Sequence, residues 1–272
     1  MPPSPAPMTT TLGGVDDMAW SDAPRNRPQR RAENLPESRE CNRENPEGVP
    51  VMAAESLAAE ACMAGGSGCD GCMTDWDALW RAGETPWEKG MAAPPLEELF
   101  ERVNPAIWGD GPVLVPGCGS GHDVRALAAR GIRAVGVDVS PAAVERARAH
   151  PPVDGAVVEL GDFLEPGWGG GRTFSALWEH TCFCAISPAD RPRYAQAAAR
   201  LVVPGGVLAG LFFLNPYDPG EEASGPPHPS EVDGIEALFG QWFERMDDWV
   251  PTRAYPGREG REWLALYRRR AE

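Results

Sequence analysis

Lysine is almost missing from this chain. Lys89 is the only one in 272 residues, so arginine carries nearly all the positive charge. Acidic residues outnumber basic ones 40 to 25, which leaves a net charge of −15. A nucleic-acid-binding surface needs a basic face or stripe. The one dense basic run, Arg268-Arg269-Arg270, is too short to supply it, so no nucleic-acid partner is expected. A small neutral or anionic substrate stays compatible with the acidic balance, because charge at a site can oppose the net charge. Long apolar runs are lacking too, which excludes a helical membrane span of about 20 residues. The start lacks the charged segment and apolar stretch of a secretion signal. Acidic residues interrupt the arginines of residues 25–43, which argues against a transit peptide. The seven cysteines are odd in number and irregularly spaced, unlike a disulfide framework. These absences predict a cytoplasmic protein with no membrane association; a small-molecule partner and a monomeric state are the accompanying expectations.

The composition changes near residue 73. Before it stand Pro2-Pro3-Ser4-Pro5 and Gly65-Gly66-Ser67-Gly68, with few large apolar residues. Such a segment cannot offset its ordering entropy by burial. Residues 1–72 are therefore expected to be a low-complexity tail, or to precede a true start at Met73; residues 73–272 form the folded domain. Within the tail, residues 49–63 are Ala-rich and resemble a marginal helix. Cys69 and Cys72 form a lone CxxC, with only Cys62 nearby. A zinc site needs a second ligand pair, so no metal is expected.

From Met73 the pattern is regular. Trp76, Leu79 and Trp80 fall at helical spacing, and Thr85-Pro86-Trp87-Glu88 resembles a capping box that opens a helix. Short apolar strands follow at residues 113–115, 134–137, 156–160, 174–178 and 207–214. Helices separate them, with Ser140-Pro141 and Ser187-Pro188 at two of the starts. Pro204-Gly205-Gly206 reads as a turn, residues 215–229 as a Pro/Gly-rich loop, and residues 230–239 as a helix. Two late strands lie near residues 242–249 and 262–268. Repeated strand–helix alternation predicts an α/β, doubly wound, mostly parallel sheet of seven strands. Ligands of such sheets sit beyond the strand carboxyl ends, at the switch point.

The strand ends carry the candidate residues. The first strand runs into Gly117-Cys118-Gly119-Ser120-Gly121, just before a helix. Glycines let a ligand approach the backbone, and a helix start offers free N–H donors. A dinucleotide fingerprint would place its third glycine at position 122, which is His122. The G-x-G-x-G spacing resembles class I methyltransferases instead. Asp138 ends the second strand, where a carboxylate can accept from both hydroxyls of a ribose; a helix-start carboxylate facing the macrodipole is the bland alternative. Asp162 and Phe163 follow the third strand. They suit an adenine, the acid accepting from its amino group and Phe163 stacking or offering its main-chain N–H; a solvated Asp beside a core Phe is equally plain chemistry. The fourth strand ends in Trp178-Glu179-His180-Thr181-Cys182-Phe183-Cys184, which places His180 under the transfer site. Cys182 and Cys184 read as small packing residues.

Taken together, these strings resemble the thiopurine S-methyltransferase family, including its plant-type thiol and halide methyltransferases. The resemblance spans nearly all of 73–272. It is carried by Trp76-Asp77-Ala78-Leu79-Trp80, Gly83-Glu84-Thr85-Pro86-Trp87, Leu114-Val115-Pro116-Gly117-Cys118-Gly119, Gly161-Asp162-Phe163, Thr181-Cys182-Phe183-Cys184-Ala185-Ile186, Asp190-Arg191 with Tyr194, and Gly225-Pro226-Pro227. It implies S-adenosyl-L-methionine as cofactor and an N-terminal helical lid. It further implies that Trp76, Trp80 and Trp87 line the cofactor site with Gly117, Gly119, Asp138, Asp162, Phe163 and His180. At the His180 position plant-type members have Tyr and thiopurine enzymes have Arg, so the acceptor is left open. Aromatic faces attract cations such as a sulfonium, yet Trp76 and Trp80 at helical spacing fit a core stripe as well.

The resemblance implies in-line methyl transfer to a soft nucleophile: a small thiol, hydrosulfide, a selenium compound or a halide. The protein supplies alignment and a dry cavity, and a histidine near neutrality could take a thiol proton. Two other classes compete: a nucleotide-dependent oxidoreductase on a Rossmann-like fold, and a non-catalytic S-adenosyl-L-methionine-binding scaffold.

Overall fold

The computed structural model describes residues 74–271. The tail, the 49–63 stretch and the Cys69/Cys72 pair all lie outside the described residues.

Seven strands form one sheet in the order β3-β2-β1-β4-β5-β7-β6. They are β1 (Val113–Pro116), β2 (Ala134–Asp138), β3 (Ala156–Leu160), β4 (Phe174–His180), β5 (Val202–Phe213), β6 (Phe243–Trp249) and β7 (Glu262–Arg269). The first five pair in parallel, and β7 inserts antiparallel between β5 and β6. The winding reverses between β1 and β4, so the crevice opens above their carboxyl ends.

Helices flank the sheet: α1 (Trp76–Ala82), α2 (Pro94–Arg102), α3 (His122–Ala128), α4 (Pro141–Ala149), α5 (Cys182–Ala185), α6 (Arg191–Leu201) and α7 (Val232–Phe239). The central strands are mostly apolar because both faces are covered, with polar residues at their carboxyl ends. On one face Val113, Val115, Ala176, Trp178, Leu211 and Leu264 pack with Leu96 and Leu99 of α2 and Val124 and Leu127 of α3. On the other, Leu114, Leu177, Leu208 and Phe212 meet Tyr194 of α6 and Phe239 of α7. Successive side chains of a strand point to opposite faces. Trp178 and His180 therefore share one face of β4, and Glu179 points to the other.

Two local expectations are corrected. Residues 85–88 make a turn rather than a helix start, with Glu88 N donating to Thr85 O at 3.0 Å. Gly83 has already ended α1 in the left-handed region at φ 75°. The Glu88 carboxylate accepts from Gly90 N at 2.7 Å and Ser120 Oγ, and faces His122 Nε2 at 3.0 Å. These contacts pull its pKa down to about 2, with His122 the largest cause. Pro204-Gly205-Gly206 lies within β5 as an irregularity, since the pairing jumps from Phe174–Val202 to Ala176–Val207. A Cβ on Gly206 would sit 2.6 Å from Ser175 O, so close strand approach explains the glycine better than a turn. Helix α2, absent from the sequence reading, opens on Pro94 and Pro95, where missing N–H donors cost nothing.

Candidate active site

The glycine loop leaves β1 and enters α3 with Gly117, Gly119 and Gly121 at φ 56°, 51° and 74°. A Cβ on Gly117 would meet Cys182 Cβ at 2.9 Å, and one on Gly119 would meet the Trp80 ring at 3.2 Å. The loop is thus gripped from both sides, by the segment after β4 and by α1.

Asp138 is buried at the end of β2. One carboxylate oxygen accepts from Gly119 N at 2.8 Å and the other from Ser140 N at 2.9 Å. Burial outweighs these bonds and raises its pKa above the ordinary carboxylate value. Each oxygen has a second lone pair, so two vicinal hydroxyls can still be accepted.

The structure brings the three tryptophans together. Trp87 meets Trp76 edge-on at 5.3 Å and Trp80 at 6.1 Å. Helix α1 docks on the start of α4 through Asp77, whose carboxylate accepts from Ser140 Oγ and Ala142 N at 2.9 Å each. Trp80 is buried against Ala142 and Ala143. The Arg146 guanidinium lies 5.3 Å from its ring centroid, so that ring already meets a cation. Trp76 and Trp87 stay half-buried. Trp80 is a packing residue that also touches the loop.

Asp162 is half-buried and accepts from Leu164 N at 2.8 Å. The Phe163 ring is buried in the core, with its centroid 4.8 Å from that of Tyr194. Stacking on an adenine is thereby excluded, because the ring points into the protein; the main-chain N–H is the group this residue can offer.

His180 is the most constrained of the candidates. Its side chain is 12% exposed, and Nδ1 lies 2.8 Å from Asp123 Oδ2. The ring stacks on Tyr255 at 5.9 Å, and Tyr255 OH donates to Met91 O at 2.8 Å. Burial pushes the imidazole toward neutrality, but the Asp123 carboxylate more than offsets this and holds its pKa above the ordinary histidine value. Nε2 is buried and has no hydrogen-bond partner. The next residue, Thr181, has φ 67° and is the only non-glycine in the left-handed region among the described residues. A β-branched residue there costs roughly 1–2 kcal/mol, and such strain clusters at functional sites. Here it turns the chain sharply from β4 into α5, bringing Cys182 against Gly117.

Cys182 and Cys184 are not poised as nucleophiles. Burial pushes the Cys184 thiol pKa up to about 12 and holds that of Cys182 well above the ordinary thiol value. Among the described residues no group of three or more His, Cys, Asp or Glu side chains could hold a metal, and no helix is long and apolar enough to cross a membrane.

Asp123 was missed by the sequence reading. Its signal, an acid in the first turn after a glycine loop, resembles a routine macrodipole contact. Instead it is buried, accepting from Ala93 N and Trp178 Nε1 at 2.8 Å each besides facing His180. Asp77 and Glu88 were missed because Ser140 and Ala142, and Ser120 and His122, lie far along the chain from them.

A loop with glycine at every second position, a carboxylate at the β2 end and a cluster of three tryptophans fit an adenosyl cofactor. With the sheet order, they define a class I methyltransferase that uses S-adenosyl-L-methionine. Residues 73–253 match the thiopurine S-methyltransferase family, and the chain belongs to that family. It is 34% identical over 199 residues to a probable thiol methyltransferase 2 of Arabidopsis thaliana, covering 71% of this chain and 84% of that one. It is 33% identical over 200 residues to a thiocyanate methyltransferase 1 of Brassica oleracea, with the same coverages of 71% and 84%. A solved structure from work on the conversion of a disulfide bond into a thioacetal group during echinomycin biosynthesis shares the fold. Its TM-score is 0.59 at 24% identity, over 72% of this chain and 92% of that one. Family membership sets aside the oxidoreductase and scaffold readings: the protein is a methyltransferase with a small-molecule acceptor.

Proposed function

We propose that the enzyme transfers the methyl group of S-adenosyl-L-methionine to the sulfur of a small thiol or hydrosulfide. Related selenium compounds and halides are close variants. The observation that carries this is the buried, unpartnered Nε2 of His180 at the carboxyl end of β4. A polar atom left unpaired in the interior costs about 1–3 kcal/mol, so it marks where a ligand group belongs. The names of the relatives point to sulfur acceptors as well.

In this reading Asp138 accepts from the ribose hydroxyls, and Gly117 and Gly119 let the cofactor lie on the loop backbone. Asp162 and the Phe163 N–H face the adenine, while Trp76, Trp80 and Trp87 close the lid and exclude water. His180 faces the acceptor, and the bound cofactor supplies an activated methyl on sulfonium. The protein's part is to align the two sulfurs and keep the cavity dry. The enzyme works in the cytoplasm as a monomer, without nucleic acid or membrane.

A panel of acceptors with methyl-labelled cofactor tests this. We expect turnover with hydrosulfide and small thiols and little with amines or catechols. Preferential methylation of an amine or a catechol would overturn the soft-nucleophile reading.

A further inference from the structure

We propose that Asp123 is a positioning residue that fixes His180 as the Nδ1–H tautomer, so that Nε2 stands ready to take the proton of an acceptor that enters as R–SH. This rests on the thiol reading above and deepens it, because it distinguishes protonated thiols from acceptors that arrive as anions.

The geometry comes from three elements. Helix α3 begins directly after the glycine loop, and its second residue, Asp123, points down to the end of β4. There one oxygen serves Trp178 Nε1 and His180 Nδ1, each at 2.8 Å, and the other takes Ala93 N at 2.8 Å. Trp178 Nε1 and Ala93 N are obligatory donors, so the carboxylate faces donors on every side. A carboxylate kept ionised accepts from His180, which places the hydrogen on Nδ1 and the lone pair on Nε2. Desolvation raises the pKa of Asp123, but the His180 charge and the hydrogen bonds from His180, Trp178 and Ala93 together outweigh it and hold the pKa below the ordinary carboxylate value.

Nε2 shares its sheet face with a second unpaired atom. His180 pairs with Leu211, which pairs with Leu264. Glu262 lies two residues before Leu264 and so points the same way. Glu262 is buried; its Oε1 accepts from Arg258 Nη1 at 3.1 Å, whereas Oε2 has no partner. Tyr255 stacks on the imidazole, and Arg258 lies 4.5 Å from the Phe213 ring centroid. The charged and titratable groups around His180 are thus Asp123 from α3, Glu262 from β7, and Arg258 and Tyr255 from the segment before β7. Glu262 favours the imidazolium and Arg258 opposes it, with Asp123 the largest of the three. Two carboxylates against one guanidinium favour an acceptor that arrives neutral.

The step balances without any further reagent. The S–H bond breaks, its proton goes to Nε2, and the electron pair stays on sulfur. That sulfur attacks the methyl carbon, the carbon–sulfonium bond breaks, and its electron pair returns to the cofactor sulfur as a neutral thioether. The imidazolium, stabilised meanwhile by Asp123, then releases its proton to water.

Two measurements test this on the full chain. Nitrogen-15 NMR of the histidines, with His180 assigned by comparison with His180→Gln, reads tautomer and titration directly. The expected wild-type result is Nδ1–H with a pKa above the ordinary value, falling in Asp123→Asn. Kinetics then compare 2-mercaptoethanol with iodide, which needs no deprotonation. Asp123→Asn should lower kcat/KM for the thiol by about 100-fold or more, the usual size of general-base assistance, and change iodide turnover less than about threefold. An Nε2–H tautomer in the wild type would overturn the proposal, as would equal losses for both acceptors. If Asp123→Asn fails to fold, the wild-type tautomer and titration decide alone. If the NMR is as expected but neither acceptor turns over, Asp123 keeps its positioning role and the soft-nucleophile reading falls.

Discussion

Glu179 offers a perturbation whose size follows from its surroundings. It is buried on the face of β4 opposite His180. Its Oε1 accepts from Phe183 N at 2.7 Å, and its Oε2 takes the hydroxyl of Tyr194. The first bond anchors α5, which sets Cys182 against Gly117. Burial exceeds the help from these donors and raises the carboxyl from 4.5 to about 7. The sign follows from linkage: the folded state holds this proton more tightly than the unfolded chain. Its contribution to stability is therefore complete below about pH 4.5 and is lost as pH rises through 7. Between pH 5 and pH 8.5 the loss amounts to about 2.5 kcal/mol. Glu179→Gln keeps the shape, an acceptor for Phe183 N and a partner for Tyr194, and removes the titration. Urea unfolding of both proteins at the two pH values isolates this residue, because the remaining groups cancel in the double difference. The variant should gain about 2.5 kcal/mol on the wild type between pH 5 and pH 8.5. A double difference near zero would mean that Glu179 is ionised throughout, and the account of its burial would be wrong.

Asp138→Ala should weaken cofactor binding by roughly 1.5–3 kcal/mol, the cost of losing bonds to a charged group, as read by calorimetry; unchanged affinity would remove Asp138 from the site. Gly119→Ala puts an L-residue in the left-handed region and a Cβ 3.2 Å from the Trp80 ring. We expect a stability loss of roughly 1–2 kcal/mol together with weaker cofactor binding, and wild-type values for both would show the loop to be slack. Trp87→Ala removes two edge-on ring contacts of about 0.5–1.5 kcal/mol each from a half-buried position; it should cost cofactor affinity more than melting temperature, whereas buried Trp80→Ala should cost both. Alkylation at pH 8 followed by mass spectrometry should leave Cys182 and Cys184 largely unmodified in the folded protein, since only the thiolate reacts; rapid labelling of either would contradict their raised pKa values.

The elements of the sheet were legible in the sequence because their signals are local. Apolar runs bounded by turn residues marked the strands of residues 113–116 and 134–138, and Ser140-Pro141 marked the start of α4. The glycine loop and Asp138 could be placed at strand ends by counting, and both sit there. Reading Trp76, Trp80 and Trp87 as a lid came from the family resemblance, since spacing alone left Trp76 and Trp80 open to a core role; the burial of Trp80 shows that it has such a role. What the sequence could not convey depends on contacts between distant residues. Asp123 meets His180 57 positions away, and Asp77 reaches Ser140 across 63. No periodicity encodes such pairs, because they exist only once the winding brings α3 over β4 and α1 over α4. Asp162 and Phe163 were found as neighbours at a strand end, but only packing decided that the ring turns inward to Tyr194. The protonation chemistry is likewise tertiary. A histidine and an acid are ordinary in a chain of this composition; it is burial, with Nδ1 committed and Nε2 left unpaired, that gives His180 a direction.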